Sequence, residues 1–150
     1  MLSNGVSVER YVAATPKAVF DLLADPSRHR EIDGSGTVRE AVQGPARLTL
    51  GARFGMHMKA GASYQMVNEV VEFETDRQIA WQARPSVTLI AKVIGGRIWR
   101  YELTPQGAGT LVRESWDISQ ERVPPLVWGL RRLTRQSMVR TMDRLEKVLS

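Results

Sequence analysis

The chain has 150 residues and no cysteine, which excludes a disulfide framework and any thiolate metal site. Histidine is almost as scarce. His29 and His57 stand far apart and lack the spacing of a helical metal site, so no metal is expected. No apolar run approaches the roughly 18–20 residues that span a bilayer. The opening MLSNGVSVERY lacks the charged region and apolar core of a secretory signal. Phosphate-cradling glycine patterns are missing too, and Gly95-Gly96-Arg97 reads as a turn. Ser35 sits in Asp33-Gly34-Ser35-Gly36 rather than in a nucleophile elbow, which argues against a hydrolase triad. These absences leave the expectation of a cytoplasmic chain with no cofactor.

The composition that is present, 43% hydrophobic and 25% charged, fits one globular domain over residues 1–150, long enough for a genuine core. Charge is uneven. From Glu121 onward seven arginines and lysines face three carboxylates, leaving +4 of the total +5 in the last 30 residues. A basic helix can meet nucleic acid or anionic membrane, but it can equally be a solvated face. No aromatic residue interleaves these arginines and no nucleic-acid motif accompanies them, so nucleic acid is not an expected partner. Stable membrane insertion is not expected either, while transient membrane contact stays open.

Hydrophobic periodicity orders the elements. Val6–Ala14 reads as a strand. Thr15 then caps a helix with Pro16 at its first position and Val19, Phe20, Leu22 and Leu23 on one face. Asp25-Pro26 ends that helix and starts a short polar one. From Thr37 the period becomes two, and short turns between successive strands predict an antiparallel meander. After Pro124-Pro125 a single helix of about 36 Å is predicted to run to about Leu149. Leu126, Leu130, Leu133, Met138, Met142, Leu145 and Leu149 would form its apolar stripe, with one spacing stretched to five.

Within the strands, Met56, Met58, Tyr64, Met66, Trp81, Trp99, Tyr101 and Trp116 fall on one parity. Plain core filling accounts for any one of them. Together they suit a cavity that adapts to a ligand, because methionine and aromatic side chains line such pockets. Asn68 and Glu114 share that parity, so each is expected among apolar walls. Asn68 could orient a ligand carbonyl or satisfy backbone at a bulge. Glu114, with its acidity weakened by burial, could serve as general acid or base. The alternatives for Glu114 are an ion pair with Arg100 or Arg113, or exposure after a parity error. His57 is expected on the outer face. The apolar run at 87–94 reads as an edge strand or as a mobile flap.

The runs VERYVAATPKAVFDLLADPSRHREIDGSGTV, RFGMHMKAG, YQMVNEVVEF, RQIAWQ and WRYELTPQGAGTLVRESWD, followed by the final helix, resemble the START-like, or Bet v 1-like, superfamily. Among its members the bacterial SRPBCC branch of polyketide cyclase/dehydrase type is most similar. The resemblance covers nearly the whole chain. It implies an α+β helix-grip fold: about seven antiparallel strands wrapped around a long C-terminal helix, with two short helices after strand 1 and an apolar cavity between sheet and helix. Ile32 departs from the aromatic residue that relatives often carry before Asp-Gly-Ser-Gly.

The resemblance implies a small hydrophobic partner, lipid-like or aromatic and polyketide-like, held as cargo by a carrier or binding protein. The expected ligand-contacting set is Met56, Met58, Tyr64, Met66, Asn68, Trp81, Trp99, Tyr101, Glu114, Trp116, Leu130 and Met138. The alternative is a cofactor-independent cyclase, aromatase or dehydratase in which Glu114, Tyr101 and Asn68 handle protons and orient carbonyls. A third reading, an accessory protein acting through partner contacts with a collapsed core, also stays open. Ligand identity and oligomeric state are not legible.

Overall fold

Seven strands form one antiparallel sheet in the order β1-β7-β6-β5-β4-β3-β2. A computed structural model describes residues 5–35, 38–60, 62–86 and 95–150, with side chains described outside 38–43, 56–60 and 62–64. The strands are β1 (Gly5–Val12), β2 (Val38–Gln43), β3 (Arg53–Ala60), β4 (Ala62–Glu74), β5 (Gln78–Pro85), β6 (Arg97–Gln106) and β7 (Gly109–Asp117). From β2 to β7 they are a meander, as short turns dictate. β1 instead pairs with β7, so the chain must cross the whole sheet before β2. Helix α1 (Pro16–Leu23), a 3-10 turn (Pro26–Arg28) and α2 (His29–Ile32) make that crossing.

Local chemistry starts these helices where the sequence predicts. The Thr15 hydroxyl accepts from the Ala18 N–H at 3.2 Å, and Pro16 follows in the first turn. Asp25 accepts from the Ser27 N–H at 3.0 Å, with Pro26 next. Each cap satisfies a backbone donor that the helix itself leaves unpaired. Helix α1 buries Val19, Phe20, Leu22 and Leu23, and Phe20 meets Phe73 edge to face at 5.3 Å.

The C-terminal element corrects the expectation of one continuous helix. A short α3 (Pro124–Trp128) is separated by Gly129 and Leu130 from the long α4 (Arg131–Val148). Glycine has the lowest helix propensity after proline, and the turn tightens there, with the Leu130 N–H bonded to the Val127 carbonyl at 2.9 Å. The apolar stripe divides at the same place. Met138, Met142 and Leu145 are buried, whereas Leu126, Leu130 and Leu133 are 52%, 45% and 64% exposed. The five-residue step from Leu133 to Met138 explains this, because at about 100° per residue it turns the side chain some 140° around the axis. Helix α4 packs mainly against β1 and α2. Arg10 on β1 reaches both Asp143 and Glu146 at 2.8 Å. This is the helix-grip arrangement, and no described helix is long and apolar enough to cross a membrane.

Candidate functional site

Residues directly opposite in an antiparallel pair share a face of the sheet. One row crosses the inner face as Val6, Trp116, Trp99, Trp81 and Val70. A second runs Val8, Glu114, Tyr101 and Ile79. A third contains Phe54, Asn68 and Ala83. Glu114 is therefore a carboxyl group set among valine, isoleucine and aromatic rings. It is 3% exposed, and Tyr101 and Trp116 are buried beside it.

Glu114 does not pair with an arginine. Its Oε2 accepts a hydrogen bond from the Tyr101 hydroxyl at 2.5 Å. Arg100 instead reaches Glu72 at 2.7 Å and Asp117 at 3.4 Å, because it lies one residue from Tyr101 and so on the opposite face. Arg113 is turned outward and exposed for the same reason. The ion-pair alternative is thus replaced by a hydroxyl–carboxyl pair.

That pair has a defined protonation state. Burial pushes the Glu114 carboxyl up to about 8; the Tyr101 hydrogen bond opposes the rise and the nearby Asp33 charge adds to it. Burial, and then the proximity of Glu114, pushes the Tyr101 hydroxyl well above its ordinary range. At neutral pH both groups are protonated. With Tyr101 donating to Oε2, the acid proton falls on Oε1, a buried atom with no partner among the described residues. The Trp116 Nε1 is equally buried and equally unpartnered. A buried polar group left in that state costs about 1–3 kcal/mol. Two of them on one face call for an explanation.

Asp33, which sequence reasoning passed over as part of a turn, comes close through its neighbour Gly34. The Gly34 N–H donates to the Thr141 hydroxyl at 2.9 Å, and Arg140 Nε donates to the Gly34 carbonyl at 2.8 Å. An added Cβ on Gly34 would lie 2.0 Å from the Ser137 carbonyl oxygen, so only glycine lets the loop rest on α4. The available signal was the glycine after Asp33, since a close backbone approach is one reason for glycine at such a place. His29 was also missed. It stacks on Trp81 with ring centres 4.9 Å apart, and its Nε2–H donates to the Leu23 carbonyl at 2.8 Å. Burial lowers its basicity and keeps it neutral. Trp81 in turn lies 5.7 Å from Tyr101, its ring tilted by 34°, so His29, Trp81, Tyr101 and Glu114 form one contiguous chain of contacts.

The other residues in the expected set divide as follows. Trp81, Asn68 and Met138 are buried, and Trp99 and Met66 are half-buried. Trp99 lies 6.5 Å from Trp116, ring to ring. Asn68 sits opposite Phe54 and Ala83, away from the Tyr101–Glu114 row. Leu130 is exposed and stands apart from the buried group. The side chains of Met56, Met58 and Tyr64, and also that of His57, lie outside the described residues, as does the 87–94 segment. Among the described residues no three His, Asp or Glu side chains come together as a metal site.

Residues 4–150 match the family described as polyketide cyclase / dehydrase and lipid transport. The uncharacterized protein Rv0088 of Mycobacterium tuberculosis is 41% identical over 71 residues, 47% of this chain and 32% of that protein. The chain therefore matches about a third of that relative's length. A Rhodobacter sphaeroides structure covers 99% of this chain and 96% of its own, with a TM-score of 0.73 at 15% identity. DynU16, from the dynemicin biosynthetic locus, covers 99% of this chain and 48% of its own, with a TM-score of 0.71 at 16% identity. At such identities the structural likeness shows fold alone, but the family match spans almost every residue. By that match the chain belongs to the polyketide cyclase / dehydrase and lipid transport family.

Proposed function

We propose that this chain binds a small hydrophobic molecule between the inner face of the sheet and α4, as a carrier or binding protein. The observation that carries the reading is the Glu114 Oε1 atom, a carboxyl oxygen buried among apolar side chains with no partner among the described residues. Apolar burial supplies the affinity of such a site, and a few polar groups fix orientation. The family description, which includes lipid transport, agrees with this reading. The ligand is lipid-like, or aromatic and polyketide-like.

A second reading is favoured by one specific observation. The Glu114 carboxyl is fully buried, which pushes it up to about 8 and favours a transferable proton at neutral pH, as suits a general acid or base. On that reading the chain is a cofactor-independent cyclase or dehydratase. Tyr101 then steadies the carboxyl, and the stacked aromatic residues shape the substrate.

Native mass spectrometry of the protein purified from its own host tests the first reading. A bound mass, released on denaturation, is expected. A persistently bare chain would remove the reading. Glu114→Gln separates the two, since it keeps shape and a hydrogen-bond donor but cannot release a proton. A carrier keeps its bound mass within about threefold, less than the effect of one ordinary hydrogen bond. An enzyme that uses this proton loses about 10²–10⁴-fold in turnover.

A further inference from the structure

Resting on the reading of an interior ligand site, we propose that Glu114 Oε1 and Trp116 Nε1 form a two-donor subsite that takes an uncharged oxygen acceptor, the carbonyl of a ketone, lactone or ester, and rejects a carboxylate.

Four observations carry this. First, both atoms are buried and lack a partner among the described residues. Second, they stand two residues apart on β7, so their side chains leave the same face of the sheet. Trp116 is opposite Val6 and Glu114 opposite Val8 on β1, and valine has no group to answer either donor. Third, both atoms donate. An indole nitrogen can only donate, and a neutral carboxyl whose other oxygen is filled by Tyr101 presents its O–H. The complementary ligand group is therefore an acceptor, not a hydroxyl or amine acting as donor.

Fourth, the surrounding charges disfavour an anion. The arginines of β1, β6 and β7 are engaged or turned away: Arg97 with Glu121, Arg100 with Glu72 and Asp117 on the outer face, Arg113 outward, and Arg10 with Asp143 and Glu146. Among the described residues, the charge that reaches the pair is the negative one of Asp33. A ligand carboxylate would lose its hydration there without meeting any of these four arginines. A neutral carbonyl gives up much less and accepts two hydrogen bonds. The subsite thus selects for neutral carbonyl compounds over free fatty acids of similar apolar size.

Calorimetric titration at pH 7 with three matched probes tests this: 2-acetylnaphthalene, 2-ethylnaphthalene and 2-naphthoate. The ketone is expected to bind about tenfold tighter than the hydrocarbon, the effect of one or two net hydrogen bonds, and the carboxylate weakest of the three. Trp116→Phe, which keeps a ring and removes the N–H, should bring the ketone-to-hydrocarbon ratio down by about threefold or more. Glu114→Leu should do the same; should it fail to fold, Trp116→Phe alone decides. Equal binding of ketone and hydrocarbon to the native chain, or tightest binding by the carboxylate, overturns the subsite and leaves the interior-binding reading standing. An unchanged ratio in Trp116→Phe also overturns it. Failure of all three probes to bind overturns the subsite, while a co-purifying mass in native mass spectrometry would still uphold the interior-binding reading.

Discussion

Glu114→Gln is expected to be more stable than the native chain at pH 9, by about 4–5 kcal/mol, and to lose that advantage as pH falls toward 4.5. The sign follows from linkage. In the unfolded chain the carboxyl ionises near its ordinary 4.5, whereas in the folded chain it holds its proton up to about 8. Between those values the folded state binds one more proton than the unfolded state. Stability that is fully present below 4.5 is therefore lost as pH rises to 8, after which the loss levels off. At about 1.4 kcal/mol per pKa unit the full loss approaches half the stability of an ordinary domain. Glutamine cannot ionise, so the variant escapes it. His29, held neutral by burial, contributes in the opposite direction on the acid side, but it is common to both proteins and cancels in their difference. Urea unfolding of both at pH 5, 7 and 9 measures the effect. Parallel pH profiles would show that Glu114 is not held neutral in the folded chain.

Gly34→Ala should cost about 3–5 kcal/mol and lower the melting temperature by roughly 10 °C. The added methyl would stand 2.0 Å from the Ser137 carbonyl oxygen and 2.5 Å from the Thr141 nitrogen, both of them helix backbone that cannot move aside. The loop must therefore lift, which forfeits the Gly34–Thr141 and Gly34–Arg140 hydrogen bonds on top of the overpacking penalty. A second consequence reaches the site. Asp33 is carried away with the loop, and its contribution to raising the Glu114 titration falls. Thermal unfolding together with the Glu114 titration reads both effects. A melting temperature within a degree of the native value would mean that the loop does not rest on α4 as described.

The strands and helix starts were legible because each rests on short-range chemistry. Thr15-Pro16 and Asp25-Pro26 start their helices through contacts two and three residues away. The period-two pattern puts Trp99 with Tyr101, and Glu114 with Trp116, on one face of each strand, and the apolar weight of those faces turns them inward. The same periodicity, applied to their neighbours, also turns Arg100 and Arg113 to the other face and removes both as partners for Glu114. That step needed no structure. The identity of the real partner did need one, since Tyr101 meets Glu114 only through the β6–β7 register.

Two other features escape a reading of apolar spacing alone. The break at Gly129–Leu130 interrupts a stripe that looks continuous as a list of leucines. The exposure of Leu126, Leu130 and Leu133 follows once the five-residue step is treated as a rotation. Asp33 enters the site because a glycine rests against a helix more than 100 residues later. Composition and spacing carry no record of that contact.

The folded chain keeps a neutral carboxyl on its inner face, a state that can be read at the atom itself. The Glu114 side-chain carboxyl carbon, labelled with carbon-13 and identified by its disappearance in Glu114→Gln, can be titrated in the unliganded protein by nuclear magnetic resonance. The midpoint expected is near 8. A midpoint near the ordinary 4.5 would make Glu114 an ionised side chain at neutral pH and contradict the account.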